Sequence, residues 1–193
     1  MGRSLFFLLL LFAGGALQAQ IGVGAAGSLA WPGVQASSPS SIRFKAGAGY
    51  RFFFRHDVSG LYGGRLHLKY AAGKSVHRVD LPQAGETVYK FSDFTIDLLW
   101  ETKPTDGDMR WYVGAGGGLL SLVSDNRYRA NYSDEFFIPQ LTAGTRWNWY
   151  EGFDAYAEMV LRYGETGAGP EPLPVTSVRL TIGFTMFISE EEP

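Results

Sequence analysis

Cysteine is missing from all 193 residues of this sequence. Its absence excludes disulfides, thiolate metal sites, iron–sulfur clusters and cysteine nucleophiles, and it argues against a lipid-anchored lipoprotein. Charge is scarce as well, because charged residues make up 19% of the chain and the formal net charge is −2. The composition therefore gives no reason to expect nonspecific binding to nucleic acid.

Proline and long apolar runs are also scarce. The 9 prolines accompany 25 glycines, a combination that fits neither collagen nor a low-complexity linker. After Gln20 no apolar run reaches the ~18 residues that would suggest a helical membrane span. Aromatic residues make up 15% of the chain, enough apolar surface to exclude a disordered protein. The joint enrichment of glycine and aromatic residues is the unusual feature that remains.

Residues 1–19 predict a secretory signal peptide. Arg3 gives the segment a positive start, and an unbroken apolar run follows from Leu5 to Phe12. This run is too short to span a bilayer as a helix, and small residues come after it. We expect cleavage after Ala19, with cleavage after Ala16 as the alternative. The sequence therefore predicts an exported protein.

Alternation with a period of two residues recurs along the rest of the chain. In segment 42–52 one parity carries Ile, Phe, Ala, Ala, Tyr and Phe, whereas the other carries Arg, Lys, Gly, Gly and Arg. A strand with this pattern has one apolar face and one polar or small face. The same division can be written for eight segments: 20–31, 42–52, 61–72, 91–101, 110–123, 140–149, 154–163 and 177–188.

The polar parity distinguishes a membrane barrel from a soluble one. A soluble barrel or sandwich would place Lys, Glu, Thr and Ser on this parity, whereas here glycines alternate with arginines and a few carboxylates. Small and ionic side chains suit a narrow lumen. The sequence therefore predicts an all-β fold, an eight-stranded antiparallel up-and-down transmembrane β-barrel over 20–188, followed by a short acidic periplasmic tail over 189–193.

Aromatic residues near the predicted strand ends predict two girdles at the membrane interfaces. The predicted girdle residues are Trp100, Trp111, Trp147 and Trp149 at one surface and Trp31, Tyr70 and Tyr163 at the other.

Connection lengths favour the same architecture. The gaps near 55–60, 102–109 and 150–153 are short. The gaps are generally longer near 32–41, 73–90, 124–139 and 164–176. Short turns that alternate with longer loops are typical of outer-membrane barrels, and an even strand count places both termini in the periplasm.

Two segments carry a resemblance to a known family. Residues 111–118 contain an aromatic–Gly-x-Gly pattern, and residues 143–146 lead through 156–159 to 161–163. In these segments, and over 20–188 as a whole, the sequence resembles the small OmpA/OmpX-like eight-stranded outer-membrane β-barrel superfamily. The chain departs from this family at its end, where many members carry a terminal aromatic residue.

The resemblance implies a location and partners. It implies the outer membrane of a Gram-negative bacterium, contact with outer-membrane lipid and lipopolysaccharide, and handling by the barrel-assembly machinery during biogenesis.

Charged residues on the polar parity predict an ion network inside the barrel. The predicted members are Arg43, Lys45, Arg51, Arg65, Lys69, Asp97, Glu101, Arg146, Glu158, Arg162 and Arg179. Buried ions must be paired or hydrated. Eight strands leave room only for packed side chains, so the pattern favours a salt-bridged plug over an anion path. Arg43 and Lys45, near a rim, are hypothesised to contact lipopolysaccharide phosphates.

No catalytic, cofactor or metal site is predicted. Residues 22–27 match the dinucleotide fingerprint G-x-G-x-x-G, but the preceding strand and following helix that this motif needs are not predicted. His56, Asp57 and Ser59 are the residue types of a hydrolase triad, but neighbours in one predicted turn cannot align as base, orienter and nucleophile.

We therefore expect a barrel with a structural or interaction role rather than an enzyme, and no nucleic-acid partner. The alternative is an accessory barrel subunit of an outer-membrane secretion or assembly complex, with a protein partner in the outer membrane or periplasm. A small channel and a lipid A-modifying enzyme are further alternatives.

Overall fold

The computed structural model describes most of the chain as strands. The described residues are 21–32, 43–61, 63–81, 85–103, 109–125, 133–150, 152–164 and 176–188. The predicted signal peptide over 1–19 and the predicted tail over 189–193 lie outside the described residues. No helix in the described part of the chain has the length and hydropathy that a membrane crossing requires.

In the described part of the chain, nine strands form one closed antiparallel sheet. They are β1 (Ile21–Pro32), β2 (Arg43–Phe44), β3 (Gly47–Leu61), β4 (Gly64–Leu81), β5 (Gly85–Glu101), β6 (Met109–Asp125), β7 (Ser133–Tyr150), β8 (Phe153–Arg162) and β9 (Ser177–Ile188). β2 pairs with the end of β4 and continues the line of β3, so β2 and β3 together make the second barrel strand. Each barrel strand pairs with its neighbour in the chain, and β1 pairs with β9. This closed eight-stranded up-and-down barrel confirms the predicted fold class.

The first and last strands set the two ends of the barrel. Ile21 pairs with Ile188, so the described chain begins and finishes at one end, called here the terminal end; the opposite end is called the far end. Two of the hairpins that close at the terminal end contain a glycine with φ near 77°, Gly63 in the β3–β4 hairpin and Gly152 in the β7–β8 hairpin. Glycine suits these positions because it adopts positive φ without a steric penalty.

Three predicted connections are partly or wholly strand in the structure. In the connection predicted over 124–139, residues 124–125 belong to β6 and residues 133–139 to β7. The predicted turn over 55–60 lies inside β3, which contains a bulge between Asp57 and Ser59, and the chain reverses between Leu61 and Gly64 instead. The predicted loop over 73–90 is mostly the ends of β4 and β5, which pair as far as Leu81 and Gly85. Apolar and polar residues alternate along a strand only where its two faces contact different surroundings. These segments do not alternate in this way, so the pattern did not predict them as strands.

Large apolar side chains cover the outside of the barrel. They alternate with buried inward positions along the strands, as in the sequence pattern, and include Phe52, Phe94, Leu119, Leu141, Ile182 and Phe184. Phe52 is 61% exposed and Ile182 68% exposed. A continuous exposed band of this kind is far larger than the apolar patches of soluble monomers. The fold therefore has a largely apolar outer surface, whereas its inward positions carry both charged and apolar side chains.

The predicted girdle residues are distributed between the two ends. Trp100, Trp111, Trp147 and Trp149 lie close to strand ends at the terminal end, where Trp111 and Trp149 are exposed. Tyr163 directly follows β8 at the far end and is exposed. Tyr70 lies within β4 opposite Ile96, with its ring 6.2 Å from that of Phe54. The side chain of Trp31 lies outside the described residues.

Glycines let β6 pack closely against β5. A Cβ at Gly116 would overlap the carbonyl oxygen of Ile96 and the carboxylate of Asp97. The inward side of this position is therefore reserved for the Asp97 side chain.

Adding a methyl group at Gly116 tests this packing. We expect Gly116→Ala to lower the free energy of unfolding by about 1–3 kcal/mol, since the added carbon overpacks a full interior. Urea unfolding in detergent micelles measures the change. The matched control is Gly27→Ala in β1, where a Cβ would meet nothing within 4 Å. Equal stability of the two variants would contradict the close packing.

Candidate functional site

The inward face of the barrel carries Asp, Glu, Lys and Arg side chains that are almost fully buried. At 6% exposure or less it holds Arg51, Arg55, Lys69, Asp93, Asp97, Glu101, Arg146, Asp154, Glu158, Arg162 and Arg179. They share this face because alternate residues of a strand point to the same side. They form three groups along the barrel, called here the terminal, central and far clusters.

Glu101 is the centre of the terminal cluster. It pairs with Arg55, and its Oε1 lies 2.6 Å from an Nη2 of Arg146. The other Nη of Arg146 lies 2.9 Å from Asp154. Arg110, nearer the surface, reaches Glu101 at 3.5 Å. One carboxylate therefore links three arginines from different strands.

A histidine extends the terminal cluster toward the rim. The Nδ1 of His67 pairs with Asp57, and its Nε2 lies 3.6 Å from Glu101. Asp57 lies at the β3 bulge and also contacts Arg65 at 3.6 Å. His67 therefore bridges the buried carboxylate and the carboxylate at the rim.

The central cluster is an ion pair enclosed by aromatic rings. Lys69 donates to Glu158, which also accepts a hydrogen bond of 3.1 Å from the Tyr112 hydroxyl. The Lys69 ammonium lies 5.0 Å from the ring centre of Phe53 and 5.5 Å from that of Tyr156. Aromatic faces attract a desolvated cation, so the rings partly replace the water that Lys69 loses on burial.

Asp93 is the centre of the far cluster. Its Oδ2 lies 2.8 Å from both Arg162 and Arg179, and its Oδ1 lies 3.3 Å from Arg51. Arg51 also donates to the Thr95 hydroxyl at 2.8 Å.

Gln140 connects the far cluster to Asp97. Its amide nitrogen donates to both carboxylate oxygens of Asp97, at 2.6 and 2.8 Å, and its amide oxygen accepts from Arg162 at 3.0 Å. A neutral side chain therefore joins a carboxylate to a guanidinium group that also holds Asp93.

Several of these contacts cross the full width of the barrel. Lys69 on β4 meets Glu158 on β8, and Arg179 on β9 meets Asp93 on β5; in both cases the two strands lie on opposite walls. A cavity of about 10 Å³ next to the central cluster has room for about one water molecule. Side chains therefore fill most of the interior beside the central cluster.

Eight of the eleven predicted network residues lie in these clusters, and two whose side chains are described do not. Lys45 lies between β2 and β3, where strand pairing is interrupted, and it is exposed. Arg65 has the inward parity but follows the first residue of β4 at the rim, and its side chain is 55% exposed. The side chain of Arg43 lies outside the described residues.

The sequence prediction missed two members of the clusters, Arg55 in the terminal cluster and Asp93 in the far cluster. Arg55 was assigned to a turn that is strand in the structure, although it shares the parity of Arg51. Asp93 shares the parity of Asp97 and lies near the predicted start of its strand. Following the parity of each strand through its ends would have included both residues.

The motifs rejected in the sequence analysis lie in strands. Residues 22–27 are inside β1, paired on both sides, so they do not form a loop before a helix. Asp57 contacts His67 rather than the neighbouring His56. Within the described segments, no group of three or more His, Asp or Glu residues is arranged to hold a metal ion.

Comparisons with known proteins show the fold. No family model matches the sequence, and no match was found among curated proteins. Solved structures do match. Neisserial surface protein A is 15% identical, with 87% of this chain and 96% of that chain covered and a TM-score of 0.55. OprG from Pseudomonas aeruginosa is 11% identical, with 90% and 97% covered and a TM-score of 0.68.

Ail of Yersinia pestis, solved in complex with the heparin analogue sucrose octasulfate, is 12% identical, with 88% and 97% covered and a TM-score of 0.53. The chain therefore has the fold of the small eight-stranded outer-membrane β-barrels, as its sequence resemblance implied.

Removing the carboxylate of Glu101 tests the terminal cluster. Glu101→Gln leaves the positive charges of Arg55 and Arg146 without their shared partner, so we expect a loss of about 3–5 kcal/mol in unfolding free energy. Urea unfolding in lipid vesicles measures it. The matched control is Glu135→Gln on the exposed outward face of β7, where a change within about 0.5 kcal/mol is expected. A Glu101→Gln variant as stable as the control would contradict the cluster's role.

The central pair allows a double-mutant cycle. Glu158→Leu alone leaves Lys69 buried without its carboxylate and should destabilise the barrel by several kcal/mol, as in the preceding case. Lys69→Met combined with Glu158→Leu removes both charges and should recover most of that loss, because apolar replacement of a buried pair is often neutral. Additive effects of the two substitutions would show that the side chains do not interact.

Proposed function

We propose that this protein is an outer-membrane β-barrel protein with a structural or interaction role and a lumen closed by its charged network. The observation that carries the proposal is the contact between opposite walls, Lys69 with Glu158 and Arg179 with Asp93. A barrel held shut across its width supports functions of its outer surface and its ends rather than flow through its centre.

The outward face supports insertion in a membrane. On β4 and β5 the outward positions are mostly apolar up to Ala72 and from Phe94 onward, and exposed lysines follow toward the far end at Lys74 and Lys90. Exposed tryptophans lie near the terminal end. An apolar belt bordered by aromatic and charged residues is typical of transmembrane barrels.

The hairpins support the orientation. The β3–β4 and β7–β8 hairpins are tight, because β4 begins three residues after β3 ends and β8 begins three residues after β7 ends, and both close at the terminal end. Short turns face the periplasm in outer-membrane barrels, so the terminal end is the periplasmic end in this proposal. Strands β4 to β7 then continue beyond the apolar belt on the external side.

A basic patch on this external wall supports contact with lipopolysaccharide. Lys74, Arg78 and Lys90 are exposed on the outward side of the β4–β5 hairpin, and Lys90 is the diagonal cross-strand neighbour of the other two. Exposed Lys45 lies beside the same strand, through its backbone bond to Arg78. Ammonium and guanidinium groups directly above an apolar belt suit the phosphates of a lipid headgroup.

Planar-bilayer recording tests the closed lumen. We expect the purified protein to give no stepwise ion current, because cross-wall ion pairs fill the bore. Insertion is verified separately by protease protection of the same bilayer preparation, and a general-diffusion porin serves as the positive control. Reproducible current steps from inserted protein would contradict the proposal and favour the channel.

Lipid-dependent stability tests the basic patch. The wild type should melt at a higher temperature in vesicles that contain lipopolysaccharide than in phosphatidylcholine vesicles. The variant Lys74→Ala/Lys90→Ala should lose most of this difference, given about 1 kcal/mol for each lysine at an anionic surface. The matched control is Lys103→Ala, which removes an exposed lysine beyond β5 at the opposite end of the barrel. If both variants showed the same difference in melting temperature between the two kinds of vesicle, the proposed lipopolysaccharide contact would be contradicted.

A further inference from the structure

The far cluster differs from the terminal cluster in its charge balance. Arg51, Arg162 and Arg179 surround Asp93, and Asp97 is connected to Arg162 through Gln140. Three positive charges therefore meet two negative charges. All five side chains belong to residues that are at most 6% exposed, so the remaining positive charge is withdrawn from water.

The buried groups of the other two clusters are balanced. In the terminal cluster the fully buried Arg55 and Arg146 face Glu101 and Asp154. In the central cluster Lys69 faces Glu158. Among the side chains that the structure describes, the uncompensated charge is thus a property of the far cluster.

The arginines of the far cluster also have hydrogen-bond donors without acceptors. The nitrogens without a partner are Arg51 Nε and Nη1, Arg162 Nη2 and Arg179 Nε, whereas Arg55 and Arg146 of the terminal cluster leave only their Nε atoms without one. Asp93 Oδ1 has no hydrogen bond either, although it lies 3.3 Å from Arg51. Guanidinium groups carry five N–H donors each, and leaving such donors buried and unpaired costs free energy. A negatively charged hydrogen-bond acceptor at this level would balance the charge and pair with the free donors.

Two hydroxyl groups beside Arg179 have free hydrogen-bonding capacity. Thr181 follows Arg179 on the same inward face of β9, and Ser28 is its register partner on β1. Both are buried, at 1% and 7% exposure, and neither Oγ has a partner. Hydroxyls and guanidinium groups together are donors that suit a small anion.

We propose that the far cluster binds one small inorganic anion of single negative charge, of which chloride is the probe to use. The anion balances the third arginine and accepts from the free guanidinium donors. The anion is bound within the charged network that closes the lumen. The site therefore goes beyond the closed-lumen function proposed above and does not require ion flow.

Anion-dependent stability tests the site in the full mature chain in detergent micelles. At constant pH and ionic strength, the melting temperature should be higher in potassium chloride than in potassium gluconate, whose anion is too large for a packed interior. A chloride concentration about tenfold above its Kd should raise the melting temperature by about 3–6 °C, and the rise should saturate.

Two arginine substitutions distinguish a site from a general salt effect. Arg179→Gln makes the far cluster neutral and should abolish the chloride-dependent rise. The matched control Arg146→Gln also removes a buried arginine, but from the terminal cluster; it should lower the melting temperature and keep the chloride-dependent rise. A wild type that melts equally in the two salts would overturn the proposal, and so would an Arg179→Gln variant that keeps the full rise.

Anomalous diffraction from wild-type crystals soaked in bromide gives a direct reading even if Arg179→Gln fails to fold. A bromide peak within hydrogen-bond reach of Arg179 supports the site. If other bromide sites in the crystal are fully occupied and no peak lies near Arg179, the proposal is overturned. The closed-lumen proposal is tested separately by bilayer current, so the two proposals can fail independently.

Discussion

The interior of a narrow barrel must satisfy its own polar groups, and the rest of this structure depends on that constraint. Eight strands bring inward side chains at the same level of the barrel within reach of one another, so a charge on one wall meets a partner on another. Lys69 and Glu158 meet in this way across the full width of the barrel. Burial without such partners would cost several kcal/mol for each ion.

The same constraint explains the glycines and the aromatic residues. Small residues such as Gly116 leave room on the inward side for the carboxylates and guanidinium groups that must meet there. Rings that face inward, Phe53 and Tyr156, enclose the Lys69 ammonium, whereas rings on the outward face belong to the apolar belt. One composition therefore serves two surfaces that have opposite polarity.

The sequence predicted the fold well because each membrane-facing strand separates apolar from polar residues with a strict period. The prediction was less accurate where apolar and polar residues no longer alternate with a period of two. Residues 73–81 and 85–90 continue as strands although the pattern predicted a loop. Arg55 was not predicted to face inward because the pattern predicted a turn where the structure has a bulged strand. Parity identifies which residues face inward, but partner choice depends on strand register and on distances across the barrel. The role of Asp93 as the partner of three arginines could not be read from spacing alone.

The central claim is that ion pairs join opposite walls and close the lumen. Solid-state NMR in lipid bilayers measures it most directly, as the dipolar coupling between labelled Lys69 Nζ and Glu158 Cδ. We predict the strong coupling of a direct ion pair, retained when the surrounding lipid is changed. Absence of coupling between these two labels would contradict the account, because the two walls would then be separated by water.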